Sequence, residues 1–131
     1  AIFFAGGHGV MWDFPQSEAV QRVTRAIYEN GGLVSAVCHG PAALVNVRLS
    51  SGAHLVAGKK LAAFTNAEEA DMHAVDIVPF LLASALVEHG ALHQPGDNWS
   101  TQVVTDGRLI TGQNPQSAAG VGEALRDALL A

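Results

Sequence analysis

One cysteine in 131 residues, Cys38, rules out any internal disulfide. No apolar run approaches the roughly 18 residues that a bilayer-spanning helix needs, so no membrane partner is expected. Basic residues are few and scattered: 7 Lys and Arg stand against 12 Asp and Glu, for a net charge of −5. Without a basic cluster there is nothing to hold a phosphate backbone, and nucleic acid is not expected as a ligand. No basic segment followed by an apolar core opens the chain, which with the lone thiol points to a reducing cytoplasm. His54, His73 and His93 are expected at the surface, and no metal site is expected.

What is there reads as a folded α/β chain. Hydrophobic residues make up 49% and charged residues 15%, enough for one real core and too short a chain for two. The chain opens at Ala1 without Met and runs at once into Ile2-Phe3-Phe4, a strand already under way. The expectation is therefore a single domain over residues 1–131, incomplete at its amino terminus. Its sheet would then have an open edge, covered by a second copy in a homodimer or by an upstream segment.

The order of elements alternates. Ile2–Phe4 ends at Gly6-Gly7; Ser17 can cap a helix with Val20, Val23 and Ile27 on its apolar stripe, stopped by Gly31-Gly32. Leu33–Val37 is a second strand, and Pro41 suits the first position of a helix through Leu44 and Val47. Leu61–Phe64 reads as a short strand, and Val78-Pro79 opens an apolar helix through Leu82 and Leu86 to Gly90. Val103-Val104 and Leu109-Ile110 flank Asp106-Gly107, the pair that favours a type I′ hairpin. A last helix from Ser117 carries Val121, Leu125, Ala128 and Leu129 on one stripe. Such alternation predicts a mostly parallel sheet with helices on both faces and a site at the carboxyl ends of its strands.

Cys38-His39-Gly40-Pro41 falls at one of those ends. A residue between a strand and the following helix is thrust out over the sheet, as at a nucleophile elbow. The helix amino terminus favours thiolate, and Gly40 permits close approach of substrate or backbone. A free cysteine is more often inert core filling, but this corner reverses those odds for Cys38. Consecutive strand side chains point oppositely, so only a kink, expected at Gly40, lets Cys38 and His39 serve one site.

The segments AVCHGPAAL, FFAGGHGVMWDFP, GKKLAAFTNAEE, VPFLL and LITGQNPQSA, in that order, resemble the ThiJ/PfpI superfamily, whose fold is shared with class I glutamine amidotransferase domains. GGHG with Trp12-Asp13 and the Gly-Gln-Asn-Pro segment resembles its glyoxalase III-like, heat-shock-chaperone branch. The resemblance implies a flavodoxin-like three-layer sandwich and a cofactor-independent lyase of the D-lactate dehydratase class. It implies a small reactive carbonyl substrate such as methylglyoxal, converted to a 2-hydroxy acid. It also implies a triad of Cys38, His39 and an acidic residue; Glu69 aligns best by counting from Gly58-Lys59, and a slip of one would select Glu68. Gly7 resembles the family's oxyanion donor, paired with the His39 N–H. His8 is a substrate contact or a hydrogen-bonding structural residue, Trp12 covers the pocket, and Gln113-Asn114-Pro115 forms a rigid polar turn. The family's glutamate from an earlier strand, which hydrogen-bonds the sulfur, has no counterpart in these residues.

The chemistry stands independently. A thiolate adds to an aldehyde to give a hemithioacetal, a histidine moves the proton between the two carbons, and hydrolysis of the thioester releases the hydroxy acid. The carboxylate orients the imidazole. The rival expectations are a stress chaperone or redox sensor using Cys38, or a cysteine peptidase, amidotransferase or deglycase on the same corner.

Overall fold

Ile2–Phe4 forms β1, an edge of the main sheet, in a computed structural model that describes residues 1–131 throughout. Two helices follow, α1 (Val10–Asp13) and α2 (Glu18–Glu29), and Ser17 caps the second by accepting from the Val20 N–H at 3.2 Å. Next come β2 (Val34–Val37), β3 (Lys60–Leu61), α3 (Asn66–Asp71), α4 (Leu82–Glu88), β4 (Leu92–His93), β5 (Val103–Asp106), β6 (Leu109–Gly112) and α5 (Ala118–Leu130).

The sheet order is β1-β2-β6-β5, parallel except for β5, which runs antiparallel to β6; β3 and β4 make a separate parallel pair. All four residues of β2 are buried, and so are all four of β6. Alternation along these strands divides them between two faces. Val34, Ala36 and Leu109 join the larger core with Tyr28 of α2 and Leu82 and Leu86 of α4. Val37 and Ile110 pack with Val121 of α5 on the other face. Helices therefore cover both faces of a mostly parallel sheet, as the alternation predicts.

Several details differ from the sequence expectation. The segment opened by Pro41 is one 3-10 stretch, Gly40–Leu44, and not a helix reaching Val47. A Cβ on Gly40 would lie 2.2 Å from the Phe4 carbonyl oxygen, so β1 crosses directly over this residue. With Ala42, Leu44 and Val47 all buried, the backbone closes i to i−3 turns at Val45 and Val47 in place of a helix ladder. Of the strand expected over Leu61–Phe64 only Leu61 pairs, with Lys60 before it. Ala62 then donates to the Thr111 hydroxyl at 2.9 Å, and Phe64 donates to the Cys38 carbonyl at 3.0 Å. This diverts the chain towards the corner at Cys38.

The helix expected from Val78 begins at Leu82, because a residue before proline disfavours helical backbone and Leu81 is still extended. On α2, Thr24 and Tyr28 are buried while Val23 is 48% exposed, so the buried face is turned by about one residue. On α5 only Val121 is fully buried, and Leu129 is exposed. The hairpin joins Asp106 to Leu109 through Gly107-Arg108, and only Gly107 has positive φ (58°). That is the type II′ pattern, with glycine first, and not type I′.

Candidate active site

The turn at the end of β2 is made by the cysteine itself. Cys38 has φ +63°, a left-handed conformation that is uncommon outside glycine and costs about 1–2 kcal/mol. This reversal, and not a kink at Gly40, breaks the strand alternation and turns Cys38 and His39 to one side. Cys38 Sγ lies 3.5 Å from His39 Nδ1, and His39 Nε2 lies 2.8 Å from Glu69 Oε2. The second oxygen of Glu69 faces His8 Nε2 at 2.5 Å. The His39 ring is held between the rings of His8 and Phe64, with centroids at 4.1 and 4.2 Å.

A carboxylate accepts hydrogen bonds and donates none, so both imidazoles carry their proton on Nε2. For neutral His39 that leaves the Nδ1 lone pair towards the thiol.

Glu68 and Glu69 are adjacent on α3, and the helix sends them to different duties. Thr65 caps α3 in a capping box with Glu68. Glu68 accepts from the Thr65 N–H and hydroxyl at 3.0 Å each, from the Trp99 N–H at 2.8 Å and from Asn114 Nδ2 at 2.9 Å. Burial alone would raise its pKa; the donors, Asn114 foremost, more than offset this and hold the carboxyl below its usual range. Glu68 ties three loops together, and Glu69 is the carboxylate on the histidines.

Burial pushes the Cys38 thiol up, against hydrogen bonds from the backbone N–H groups of His39 and Gly7. The charges of Glu68 and Glu69 push it the same way as burial. This corrects the expectation of a standing thiolate: a 3-10 stretch of five residues supplies little dipole, and desolvation prevails. Burial likewise lowers the pKa of His39, against the hydrogen bond and charge of Glu69, so the imidazole rests neutral and able to accept a proton. Both resting partners are neutral, with the Nδ1 lone pair of His39 3.5 Å from the sulfur and free to accept its proton.

These groups open into a cavity of about 230 Å³ walled by Gly7, His8, Phe64, Met72 and Trp99. The structure brings Cys38, His39, Glu69, His8 and Gly7 together and leaves Trp12 out. Trp12 is 49% exposed on α1 and lines no part of the cavity. The indole at the site is Trp99, which sequence reasoning missed. Its φ is +60°, its Nε1–H donates to Asp71 Oδ2 at 3.0 Å, and its ring meets Phe64 edge-on at 5.5 Å. An aromatic inside the polar turn Asp97-Asn98-Trp99-Ser100 is the signal that was available. Gln113 and Asn114 are fully buried and hold that turn: Gln113 Oε1 accepts from Gly96 N–H at 2.8 Å, and Asn114 Nδ2 donates to the Ser100 carbonyl.

Of the remaining histidines, His93 is partly buried with Nε2 on the Ala63 carbonyl, and His54 stacks on His89 at 3.9 Å, so neither is a free surface residue. Spacing along the chain concealed one cluster of ligand-type atoms: His8, His39 and Glu69 each offer one within 4.8 Å of the others.

The model of the DJ-1/PfpI family matches residues 1–127. The chain belongs to this family. Among DJ-1/PfpI relatives, glyoxalase 3 of Candida albicans is 38% identical over 129 residues, covering 93% of this chain and 55% of the relative. Glutathione-independent glyoxalase HSP31 of Saccharomyces cerevisiae is 39% identical, covering 98% of this chain and 57% of the relative. The crystal structure of glyoxalase III from Candida albicans superimposes with a TM-score of 0.91 at 36% identity, over 96% of this chain and 55% of that one. The chain thus spans little more than half the length of these relatives.

Proposed function

We propose that this chain carries the reaction centre of a glutathione-independent glyoxalase, which converts methylglyoxal-type 2-oxoaldehydes to 2-hydroxy acids. The observation that carries this reading is the Cys38–His39–Glu69 relay, with contacts of 3.5 and 2.8 Å, opening into a cavity of about 230 Å³. The names of the DJ-1/PfpI relatives support the substrate class.

In this reading Cys38 Sγ adds to the aldehyde carbon as its proton passes to His39 Nδ1 and from there to the new hydroxyl. The N–H groups of Gly7 and His39, which lie beside the sulfur, stabilise the oxyanion that forms there. His39 next removes the hydrogen of the former aldehyde carbon, and a proton is returned at the neighbouring carbon, leaving a thioester of the 2-hydroxy acid. Water, deprotonated by His39, displaces Cys38 and restores the thiol. One water is consumed and no electron leaves the substrate. Glu69 holds His39 in the required tautomer and stabilises its charged form, and His8 contacts the substrate from the cavity wall.

The reading places the protein in the cytoplasm, as one domain, with the edge at β1 covered by a second copy or by an upstream segment. It includes no membrane or nucleic-acid partner: no helix is long and apolar enough to cross a bilayer, and the net charge is −5. The test is lactate formation from methylglyoxal. Activity is expected to vanish in Cys38→Ala, and lactate formed at an unchanged rate by that variant would refute the proposal.

A further inference from the structure

The contact between Glu69 and two imidazoles is more than a triad requires. A triad uses one imidazole and one carboxylate; here both oxygens of a carboxylate that is 2% exposed are engaged by Nε2 atoms of different histidines, at 2.5 and 2.8 Å. Two imidazole nitrogens and one carboxylate oxygen, converging within 4.8 Å, are the ligand set of zinc sites that keep an open position. Zinc–nitrogen and zinc–oxygen bonds of about 2.0–2.2 Å in tetrahedral array place ligand atoms about 3.3 Å apart. To admit the ion, the pairs at 2.5 and 2.8 Å open to about 3.3 Å, and ligand atoms now as much as 4.8 Å apart close to the same spacing, shifts within reach of side-chain rotation. His8 is about one-third exposed and lines the cavity, so the ion has an entry path and its fourth position faces solvent.

We propose that His8, His39 and Glu69 form a binding site for a divalent cation of the zinc class, which silences Cys38 without bonding to it. The metal takes Nε2 of His39, and Cys38 lies beyond the opposite nitrogen, 3.5 Å from Nδ1, so the sulfur is not a ligand. A neutral imidazole with its Nε2 lone pair on a metal carries its proton on Nδ1. That N–H then points at the thiol and can no longer accept the thiol proton. Inhibition arises from the tautomer, not from mercaptide formation, which is the usual route by which zinc blocks a thiol.

The binding part of this proposal is independent of the reaction assigned above; only the inhibition rests on that reading. Calorimetric titration with Zn²⁺ is expected to show one site per chain. Cys38→Ser should bind within about threefold of the parent, and His8→Phe should lose at least tenfold, by analogy with the 10–100-fold losses seen for groups that merely support a metal ligand. Co²⁺ bound to the unmodified protein should give visible bands of a four- or five-coordinate ion without the near-ultraviolet sulfur-to-cobalt charge transfer. Lactate formation should fall with Zn²⁺ occupancy and return on chelation. Absence of zinc binding, binding undiminished in His8→Phe, binding lost in Cys38→Ser, or a sulfur-to-cobalt band would each overturn the site. Binding as described with unaffected lactate formation would overturn the inhibition and leave the site standing.

Discussion

Exchanging each of the two adjacent glutamates for glutamine separates chemistry from scaffold. Glu69→Gln keeps the volume and one carbonyl acceptor but presents an NH₂ group where the second oxygen stood. Two imidazole N–H groups then compete for one acceptor. If His39 loses, its proton moves to Nδ1 and the thiol has no base, an error of tautomer that costs on the order of 10⁴-fold in turnover in triads of this type. Stability changes by only about 1 kcal/mol, the worth of one hydrogen bond. Glu68→Gln does the reverse. Its carboxylate takes four donors from Thr65, Trp99 and Asn114 in full burial, and the amide cannot accept all of them. Losing one charge-assisted bond and stranding its donor costs about 2–3 kcal/mol. In a chain of 131 residues that lowers Tm by about 6–11 °C. The assays are thermal unfolding followed by circular dichroism, and lactate formation from methylglyoxal well below either Tm. A Glu68→Gln protein with unchanged Tm and abolished turnover, beside an active Glu69→Gln, would refute the assignment of the two roles.

Alkylation of Cys38 by iodoacetamide should be slow at pH 7 and still accelerating through pH 9, because burial raises the thiol pKa above its ordinary value; a plateau below pH 8 would show a thiolate instead. Gly40→Ala places a Cβ 2.2 Å from the Phe4 carbonyl oxygen, and forcing β1 away should cost about 3 kcal/mol or more, seen as insoluble expression or a Tm lower by over 10 °C. Burial first, then the His89 and Arg48 charges, lower the pKa of His54, whose Nδ1 is buried without a partner. The unfolded chain takes up that proton first, so the contribution is intact above the ordinary value of 6.5 and is lost as pH falls below it. His54→Phe should flatten the decline of Tm between pH 7 and 5, and an unchanged slope would remove His54 from the account.

The parts of the fold legible in sequence are those set by local chemistry. Ser17 before a polar first turn specified the start of α2, and the apolar runs at Ile2 and Leu33 specified buried strands. The Cys38 corner was legible for the same reason, a strand ending in small residues and a proline. The choice between Glu68 and Glu69 was not, because neighbouring helix positions point about 100° apart and only the packing of α3 against His39 settles which one faces inward. Trp99 was hidden by distance, since its backbone and ring are fixed by Glu68 and Asp71, some 30 residues earlier in the chain. The extent of the helix after Pro41 was misjudged because burial on all sides, against Phe4 above all, outweighed a favourable first residue.

The left-handed backbone at Cys38 has a further consequence. Folding alone favours glycine or asparagine in such a conformation, and cysteine brings neither a helpful side chain nor a relaxed backbone to it. A chain drifting under selection for stability only would lose its sulfur at this position early. On the proposed reading the thiol is a cost the fold bears for use, and a copy that had abandoned the chemistry should be recognisable by glycine at residue 38 in an otherwise intact molecule.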